Sequence, residues 1–471
     1  MTDSSPPDAR PPSSRVVLDR QRIQELTVRE QERWRERTAK SGEMYARASR
    51  SLAGGVASSY EVMDPWPLYL THGEGARVWD VDGNELWDFH NAFGSMIQGH
   101  AHPVIGRAVT ERYGRGTHFA VPTEDAVVVA EELSRRWNLP QWRYTNSGSE
   151  ATMDAIRIAR ALTGRETVMK IFGSYHGHHD AVMVSIAGPL FDDIGPRENL
   201  KSIPYGGGIP AATVALTVAV PFNDAEAMEA RILRLAAEGR KPACVIMEAV
   251  LMNMRVVLPE PGYLQAVREI TRRHGIVLIV DEVKTGLTIA SGGATERFAL
   301  EPDLVSLAKP LGAGLPMGAI GGTAEVMSVV SDGTVFQVGT YNGNPLCVAA
   351  ARANLLEVLT PAAYRRLDQL NERILRGCDA VIAQHRLPAY TVGLGAKGCI
   401  TFSPEKIVEY EQFLTSEDHE LSDLVWLYQA NRGVFTTPDR DEEWTLSIVH
   451  PDEAIDAYVS NFASLAQELT S

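Results

Sequence analysis

Two polar side chains at the ends of apolar segments are the residues best placed for catalysis. Lys309 follows the segment LVSLA and precedes a glycine-rich turn, and Asp281 lies in the preceding apolar segment, VLIVDE. A lysine in a partly dry site can have a lowered pKa and act as a nucleophile, and a carboxylate can hold a protonated pyridine nitrogen. Most isolated lysines are solvated surface charges. This interpretation therefore depends on the position of Lys309, which follows an apolar strand, and that strand comes next along the chain after the strand of Asp281.

A turn of small hydroxyl-bearing residues is compatible with a phosphate site. The segment 145–150, TNSGSE, joins a predicted strand to a predicted helix. Free backbone N–H groups at the start of a helix bind anions, and Ser147, Gly148 and Ser149 would supply them here. An ordinary serine N-cap gives the same pattern, so this turn alone does not identify a phosphate site.

An aromatic residue and a histidine cluster follow another predicted strand. Tyr175 could stack on a flat ring, with His176 beside it. A metal site is the alternative, because four potential ligands lie close together in the sequence: His176, His178, His179 and Asp180. No further ligand set with zinc-like spacing accompanies them, so we expect a site without a metal.

Two nucleotide-binding interpretations fail on their sequence context. Asp281-Glu282 is typical of some nucleotide hydrolases, but these also need a GxxxxGK[ST] loop, which the sequence lacks. The segment 393–398, GLGAKG, matches the dinucleotide pattern GxGxxG, but a strand-like segment follows it instead of a helix. Neither pattern therefore predicts nucleotide binding.

Apolar runs and amphipathic segments alternate along the middle of the chain, which predicts a parallel sheet covered by helices. The expected strands are residues 142–145, 168–172, 243–248, 275–283 and 304–308, and the expected helices are 125–137, 150–162 and 263–274. Ligands of open α/β sheets bind at the C-terminal ends of the strands. Ser147, Tyr175, Asp281 and Lys309 lie at or just beyond such ends, so the sheet should bring them together.

The two ends of the chain differ from its middle. Residues 16–51 form a charged helical arm, whose default interpretation is a solvated surface helix, and 77–89 form a hairpin with its turn at 82–84. We expect one long helix from residue 344 to about 384, and a polar surface excursion at 403–419. The predicted domains are a disordered tail at 1–15, an arm and part of a small domain at 16–120, a large cofactor-binding domain at 121–343, and the rest of the small domain at 344–471.

Composition favours a soluble protein of the reducing cytoplasm that binds neither nucleic acid nor anionic membranes. The 471 residues carry a formal charge of -15, which repels nucleic acid and anionic membranes. No apolar run is long enough to cross a bilayer. The four cysteines include no CxxC pair, which argues against a disulfide framework or a structural zinc site and favours a reducing compartment.

Taken in order, these features resemble the class III aminotransferases, fold-type-I enzymes that use pyridoxal 5'-phosphate (PLP). The most similar branch contains glutamate-1-semialdehyde aminomutase and the β-amino-acid aminotransferases. The resemblance runs from about residue 54 to 450 and rests on segments 99–103 (GHAHP), 116–124 (GTHFAVPTE), 146–150, 175–177 (YHG), 281–283 (DEV), 309–322 and 339–345 (GTYNGNP). It implies an α/β fold with a large mixed, mostly parallel sheet domain and a smaller α+β domain from both chain ends.

The resemblance also implies a role for each matched residue. Lys309 would hold the cofactor as a Schiff base and then move a proton between the substrate's Cα and the cofactor's C4'. Asp281 would bind the pyridine nitrogen, with Val283 beneath the ring and Tyr175 stacked above it. The other expected cofactor contacts are Ser147, Gly148, Ser149, His176 and Glu248, with Thr340 contributed across the interface of an obligate homodimer.

The chain departs from this branch where the branch binds a substrate carboxylate. There an arginine follows the Gly-Gly-Val segment, but residues 54–63 of this chain read GGVASSYEVM and contain no arginine. Ser58 and Glu61 stand at the two positions that the branch uses, and Tyr60 and Phe119 complete the expected substrate contacts. Exchange of an arginine for a glutamate disfavours a carboxylate and favours an ammonium group.

We therefore expect a polyamine-like or amino-sugar substrate, such as an intermediate of aminoglycoside-antibiotic biosynthesis. The alternative is that Glu61 faces solvent while another arginine, such as Arg440, binds a carboxylate, as in a β-amino-acid aminotransferase. An aminomutase or epimerase also stays open, because the motifs do not separate these outcomes. An inactive relative is disfavoured by the intact Lys309, Asp281 and Tyr175.

Overall fold

A computed structural model describes residues 15–187, 193–438, 441 and 443–471 of the chain. The tail predicted at the N-terminus therefore lies, apart from Arg15, outside the described residues, and so does Arg440. The strands of the described part are numbered β1 to β14 in chain order: Leu70–Glu74, Arg77–Asp80, Glu85–Asp88, Gln141–Thr145, Val168–Ile171, Thr217–Val220, Cys244–Met247, Val277–Asp281, Leu304–Leu307, Gly318–Gly322, Tyr390–Leu394, Lys397–Thr401, Val434–Phe435 and Trp444–Thr445.

Helices surround these strands and alternate with them along the middle of the chain. Those of the described part are numbered α1 to α16 in the same way: Arg20–Arg37, Ala39–Ala48, Asn91–Gly94, Pro103–Tyr113, Glu124–Trp137, Gly148–Thr163, Ala211–Ala215, Ala225–Ala237, Tyr263–Arg273, Gly293–Arg297, Ala324–Ser331, Pro345–Ala353, Pro361–His385, Tyr410–Ser416, His419–Ala430 and Asp452–Thr470. The helices and strands expected in the middle of the chain are all present, with ends that move by a few residues.

The central sheet has seven strands in the order β4-β10-β9-β8-β7-β5-β6. Only β10 runs antiparallel to its neighbours, so the other six strands share one direction. The five strands β5 to β9 are buried along their whole length, because helices cover both faces of the sheet. The predicted large, mostly parallel sheet is confirmed.

Two smaller sheets lie outside the central one, and the first of them combines both chain ends. In one, strand β13 from the C-terminal region pairs in parallel with β3 of the hairpin that was expected at residues 77–89. The other has the order β11-β12-β14, and the GLGAKG segment forms the turn between β11 and β12. The smaller α+β part is therefore built from both ends, as predicted, whereas the domain boundaries stay a prediction.

The single helix expected after residue 344 is broken. It consists of a first helical part at Pro345–Val358 and a second at Pro361–His385, and the two are bent by 77°. Pro361 has no N–H to continue the first part, and the side chain of Thr360 instead caps the second by accepting from the N–H of Ala363. No single described helix is long and apolar enough to cross a membrane, and this bent pair meets that requirement only when both parts are counted together.

Residues 403–419 are not a purely polar surface excursion. They contain α14, whose side chains Tyr410 and Phe413 are buried in the main core. The ring of Tyr410 lies 4.7 Å from that of Phe172, just beyond β5. The prediction was wrong because a few widely spaced aromatic residues bury this segment despite its polar composition.

The N-terminal helix α1 is anchored on the C-terminal part of the chain and is not a solvated surface helix. Its side chains Ile23, Leu26 and Trp34 are buried, and so is the carboxylate of Glu30. Arg432 donates to both oxygens of Glu30, at 2.9 and 3.0 Å. Burial by itself would raise the pKa of Glu30, but the hydrogen bonds from Arg432, Arg29 and Asn431 outweigh it and hold the pKa below its ordinary value.

Replacing Glu30 by glutamine should destabilise the protein by about 2–3 kcal/mol, less than the usual cost of breaking a buried ion pair because Arg29 and Arg432 both reach solvent. Since the folded-state pKa lies below that of the unfolded chain, the stabilisation exists above the ordinary glutamate pKa and is lost as the pH falls. The difference between wild type and Glu30→Gln in urea unfolding should therefore shrink below about pH 4. Glu32→Gln, at an exposed position of the same helix, should change stability little at any pH.

Candidate functional site

A cavity of about 360 Å³, called the inner cavity below, lies at the C-terminal edge of the central sheet. It is lined by the expected residues at or beyond the ends of β4, β5, β7, β8 and β9: Ser147, Gly148, Ser149, Tyr175, His176, Glu248, Asp281, Val283 and Lys309. Every expected cofactor contact except Thr340 is thus brought to one place. They meet because the strands that carry them share one direction.

The carboxylate of Asp281 is buried at the end of β8 and holds two hydrogen bonds. Its Oδ1 accepts from the backbone N–H of Val283 at 2.9 Å, and its Oδ2 accepts from His176 Nδ1 at 2.7 Å. Burial lowers the pKa of His176 despite the opposing influence of Asp281, so the imidazole is neutral at neutral pH. The His176 ring therefore orients the Asp281 carboxylate without neutralising its charge.

The neighbouring Glu282 points the other way and has a structural role. Its buried carboxylate accepts from the backbone N–H groups of Ala294 and Thr295, each at 2.7 Å. The hydroxyl of Thr285 and the indole N–H of Trp137 also donate to it. Successive side chains at a strand end face opposite sides, so the Asp-Glu pair gives one carboxylate to the cavity and one to the core.

Helix α6 begins at the cavity wall and presents unpaired N–H groups there. The side chain of Ser147 caps the helix by accepting from the N–H of Glu150 at 3.2 Å, so its hydroxyl serves as the ordinary N-cap considered above. The first N–H groups of a helix, here those of Gly148 and Ser149, have no partner within the helix and favour an anion.

The space around Gly148 tests whether a cofactor phosphate fits. A Cβ on residue 148 would lie 2.8 Å from a Val283 methyl group and 3.4 Å from the Cβ of Ala308. Only glycine lets the helix start approach the ends of β8 and β9 this closely. The cradle, the Asp281 carboxylate and Lys309 together fit a phosphorylated pyridine.

Lys309 stands two residues after the end of β9, in a backbone conformation that is rare for a residue with a side chain. Its φ is +39°, in the left-handed region. Its Nζ lies 5.6 Å from the centre of the Phe93 ring. Strained backbone of this kind persists where the surrounding structure holds it and occurs often at functional sites.

Two buried ionisable residues support the site from behind. Lys170, in the apolar strand β5, donates from Nζ to the carbonyl oxygens of Ser174 and Val184, each at 2.8 Å, and burial lowers its pKa to about 7. Burial and the nearby Asp281 raise the pKa of Glu248 to about 8, and Asn253 donates to both of its oxygens. Lys170 could have been noticed in the sequence, because it is a charged residue within an otherwise apolar predicted strand. The sequence analysis did not single it out.

The histidines that suggested a metal site are each engaged in another contact. His176 bonds Asp281, while His178 Nδ1 lies 2.9 Å from the Ser149 hydroxyl and His179 Nε2 lies 3.2 Å from the Thr152 hydroxyl. Within the described ranges, no group of three or more His, Cys, Asp or Glu side chains is arranged to hold a metal ion.

The expected substrate residues separate into two groups. Ser58 and Tyr60 line a second cavity of about 870 Å³, called the outer cavity, and Tyr60 lines the inner cavity as well. Glu61 turns back on its own segment, where its Oε2 accepts from the N–H groups of Ala57 and Ser58 at 2.9 and 3.3 Å. Its carboxylate thus closes a capping box and lines neither cavity, so a substrate role for Glu61 stays a prediction without support from this geometry.

Phe119 and Thr340 also lie away from both cavities of their own chain. Each is exposed, and the ring of Tyr341, next to Thr340, lies 5.0 Å from that of His118, next to Phe119. The two segments therefore form one exposed surface.

Sequence reasoning missed a partly buried ion pair between residues that line the two cavities. Lys284 Nζ lies 3.1 Å from a carboxylate oxygen of Asp441 and donates to the carbonyl oxygen of Met252 at 2.9 Å. Asp441 lines both cavities, and Lys284 lines the inner one. Their separation along the chain left no local pattern by which this pair could have been found.

Comparison with known proteins gives one consistent family. A family model described as aminotransferase class-III matches residues 59–429. A glutamate-1-semialdehyde 2,1-aminomutase from Methanothermobacter thermautotrophicus is 40% identical over 425 residues, which cover 89% of this chain and 96% of that protein.

Solved structures agree with this match. A variant of a glutamate-1-semialdehyde-aminomutase from Pseudomonas aeruginosa PAO1, in complex with PMP, has a TM-score of 0.87 at 30% identity and covers 96% of this chain and 99% of that chain. A transaminase with PLP bound has a TM-score of 0.81 at 33% identity and covers 92% of this chain and 98% of that chain.

These findings confirm the expected fold class, enzyme class and cofactor. None of the three proteins is named for an amino sugar. The fold, the fit of the inner cavity and the family match lead to one conclusion: the chain belongs to the class-III aminotransferase family and is an enzyme that uses PLP.

Proposed function

We propose that the chain transfers an amino group between an amine and a carbonyl compound, with Lys309 as the cofactor attachment point and proton carrier. The observation that carries this proposal is that Lys309 and Asp281 line the same inner cavity. PLP, when bound there, supplies an electron sink that stabilises negative charge on the substrate carbon next to the amine. Lys309 Nζ would take the proton from that carbon and deliver it to the cofactor's C4'.

Asp281 would hold the cofactor's ring nitrogen in its protonated form. Its carboxylate stays oriented because His176 and the backbone of Val283 occupy one lone pair on each oxygen. A buried carboxylate that lacked such donors would itself be costly. Tyr175 would pack on the upper face of the ring and Val283 on the lower one.

The remaining contacts would hold the phosphate and the ring oxygen. The N–H groups of Gly148 and Ser149, with the Ser149 hydroxyl, would bind phosphate at the start of α6. Glu248 is mostly protonated at neutral pH because its pKa is raised to about 8. Its carboxyl group could therefore donate a hydrogen bond to an oxygen on the ring.

We infer that the substrate is cationic, a polyamine-like or amino-sugar compound of the aminoglycoside type. No arginine lines either cavity in the part of the chain that the structure describes. Lys284, which lines the inner cavity, is already paired with Asp441. A substrate carboxylate would thus lack the forked arginine partner that such groups favour.

The second candidate is an aminomutase of the glutamate-1-semialdehyde type. The name of the relative that is 40% identical favours it. Such an enzyme needs no second amine or carbonyl partner, which separates it from a transferase. A β-amino-acid aminotransferase would also require an arginine, and Arg440, the residue considered for this role, lies outside the described residues.

A homodimer is supported by apolar side chains that stay exposed around Thr340. They lie on two neighbouring segments: Phe119, Val121, Phe336, Val338 and Tyr341. An exposed apolar surface of this kind, next to a residue expected to bind phosphate across an interface, is best covered by a second copy of the chain. We propose that the partner's Thr340 completes the phosphate site.

We propose a cytoplasmic location from the state of the cysteines, and small-molecule partners from the net charge. All four cysteines are free thiols, and three of them are buried. The net charge of -15 disfavours nucleic acid and anionic membranes as partners.

An amine that serves as a donor should change the visible absorption of the PLP-loaded protein from that of the lysine-bound cofactor to that of the pyridoxamine form. Each amine is mixed with the protein singly, in the absence of an acceptor. Amino sugars and polyamines are expected to cause this change, whereas β-amino acids, glutamate and alanine should be poor donors. Lys309→Ala should lose turnover and the absorption of the lysine-bound cofactor. The measurement is a spectrophotometric titration with each amine.

Other outcomes of that titration have separate meanings. If only carboxylate-bearing amines react, amino transfer stands and the cationic substrate is rejected. Isomerisation of glutamate-1-semialdehyde without a second substrate would favour the aminomutase. If wild type and Lys309→Ala have the same spectrum, the proposed function is wrong.

Replacing His176 by phenylalanine should lower kcat/KM by about ten- to a hundredfold, as for other partners that orient a functional ligand. The reason is that Asp281 loses its donor on Oδ2. His176→Asn should restore part of the activity, because its amide N–H can stand in for Nδ1. Equal losses in both variants, with unchanged urea unfolding, would contradict a positioning role through this hydrogen bond.

The double variant Val338→Glu, Tyr341→Glu should sediment as a monomer, because it places two charges in the proposed interface. It should also lose affinity for PLP, because a monomer lacks the contact with the partner's Thr340. Leu233→Glu, which places the same charge on an exposed apolar position of α8, should remain dimeric. Analytical ultracentrifugation measures the first effect and a PLP titration the second. A monomeric wild-type protein at micromolar concentration would refute the proposal.

A further inference from the structure

A buried serine lies behind the His176–Asp281 pair. Ser174 stands three residues beyond the end of β5, and its side chain is fully buried. Its hydroxyl oxygen lies 2.7 Å from the carbonyl oxygen of Ile171 and 2.9 Å from His176 Nε2. A hydroxyl has one proton, so it donates to one of these two atoms at a time. The direction of the Ser174 proton is therefore linked to the protonation of His176.

The imidazole of His176 is neutral and carries one N–H, because burial lowers its pKa. Its Nδ1 lies 2.7 Å from Asp281 Oδ2, a distance that requires a proton between the two atoms. In its proposed role Asp281 is ionised, so this proton belongs to Nδ1. Nε2 then has only a lone pair, and a buried lone pair of this kind needs a donor.

The Ser174 hydroxyl is placed to be that donor. Among the described residues, no other donor contacts His176 Nε2. When the hydroxyl turns to Nε2, the carbonyl oxygen of Ile171 keeps a contact with the backbone N–H of Ser174, at 3.3 Å. His176 is 2% exposed, so bulk water does not replace the hydroxyl. Both acceptors therefore have a donor in this arrangement.

The main chain on either side of Tyr175 is anchored, which fixes the serine and the imidazole against each other. Lys170 Nζ donates to the carbonyl oxygen of Ser174 at 2.8 Å. The hydroxyl of Thr152, on α6, donates to the carbonyl oxygen of His176 at 2.5 Å. Lys170 and Thr152 are both fully buried. The contact between the Ser174 hydroxyl and Nε2 is thus built into the core.

We propose that Ser174 is a positioning residue of the cofactor site: its hydroxyl donates to His176 Nε2 and so keeps the imidazole proton on Nδ1, where it is donated to Asp281. Ser174 lines neither cavity and therefore acts through His176, not by contact with cofactor or substrate. This inference rests on the proposed role of Asp281. It extends the set of residues that serve the cofactor beyond those that line the inner cavity.

Histidine-selective ¹⁵N NMR of the PLP-loaded protein reads the tautomer directly, because ring nitrogens with and without a proton have well-separated chemical shifts. The His176 signals are identified by their loss in His176→Asn. In wild type we expect the proton on Nδ1 and an Nε2 signal displaced by a donated hydrogen bond. In Ser174→Ala the Nε2 signal should move to the position of a nitrogen without a donor. Ser174→Thr should restore it, because threonine keeps the hydroxyl.

Ser185→Ala is the matched control, since it removes another fully buried hydroxyl of the same segment. That hydroxyl donates to the carbonyl oxygen of Lys201 and does not contact His176. Ser174→Ala should weaken PLP binding and lower kcat/KM, each about tenfold, as for other partners that orient a functional ligand. Ser185→Ala should leave PLP affinity, kcat/KM and the His176 signals unchanged.

A proton on His176 Nε2 in wild type, alone or together with one on Nδ1, overturns the inference, because Ser174 would then accept from the ring. An Nε2 signal that is the same in wild type and Ser174→Ala overturns it as well. If Ser174→Ala does not fold, the wild-type tautomer alone decides. The NMR result does not depend on turnover, so a failure of the proposed amino transfer would be seen separately, in the amine titration.

Discussion

The hydrogen bond from His176 Nδ1 to Asp281 Oδ2 is the contact on which the geometry of the site depends. Asp281 is a buried carboxylate, which is stable only with donors on its oxygens, and the 2.7 Å contact from His176 is one of the two that it has. His176 is in place because Lys170 holds the backbone on either side of it by donating to the carbonyl oxygens of Ser174 and Val184. A parallel sheet is needed for this arrangement, since it brings the ends of β5 and β8 to the same edge.

The two cavities differ in size and in the charged side chains that line them. The inner cavity holds two lysines with different surroundings: Lys309 stands on a strained turn facing Phe93, and Lys284 is paired with Asp441. The outer cavity is larger, aromatic and acidic, and helix α1 forms part of its wall. The inner cavity, where the reaction would take place, thus adjoins an outer cavity that is lined mainly by parts of the chain outside the central sheet.

Much of the central sheet could be predicted from sequence because buried parallel strands are short apolar runs and their polar ends are visible. Lys309, Asp281 and Gly148 were predicted in this way to lie close together, and all three line the inner cavity. The bend before Pro361 was missed because the helical pattern continues across it, and α14 was missed because Tyr410 and Phe413 are sparse in a polar segment. The outer cavity joins residues from positions 27 to 441, so no local pattern reveals it. Glu61 closes a local capping box and lines neither cavity, so the substrate role read from its charge exchange stays a prediction.

Lys309, and not Lys284 of the same cavity, is proposed to carry the cofactor. Reduction of the PLP-loaded protein with borohydride, followed by peptide mass spectrometry, fixes the label on the lysine that held it. We expect a phosphopyridoxyl group on the peptide that contains Lys309 and none on the peptide that contains Lys284. A label on Lys284, or an undiminished label in Lys309→Ala, would contradict the assignment of the whole site.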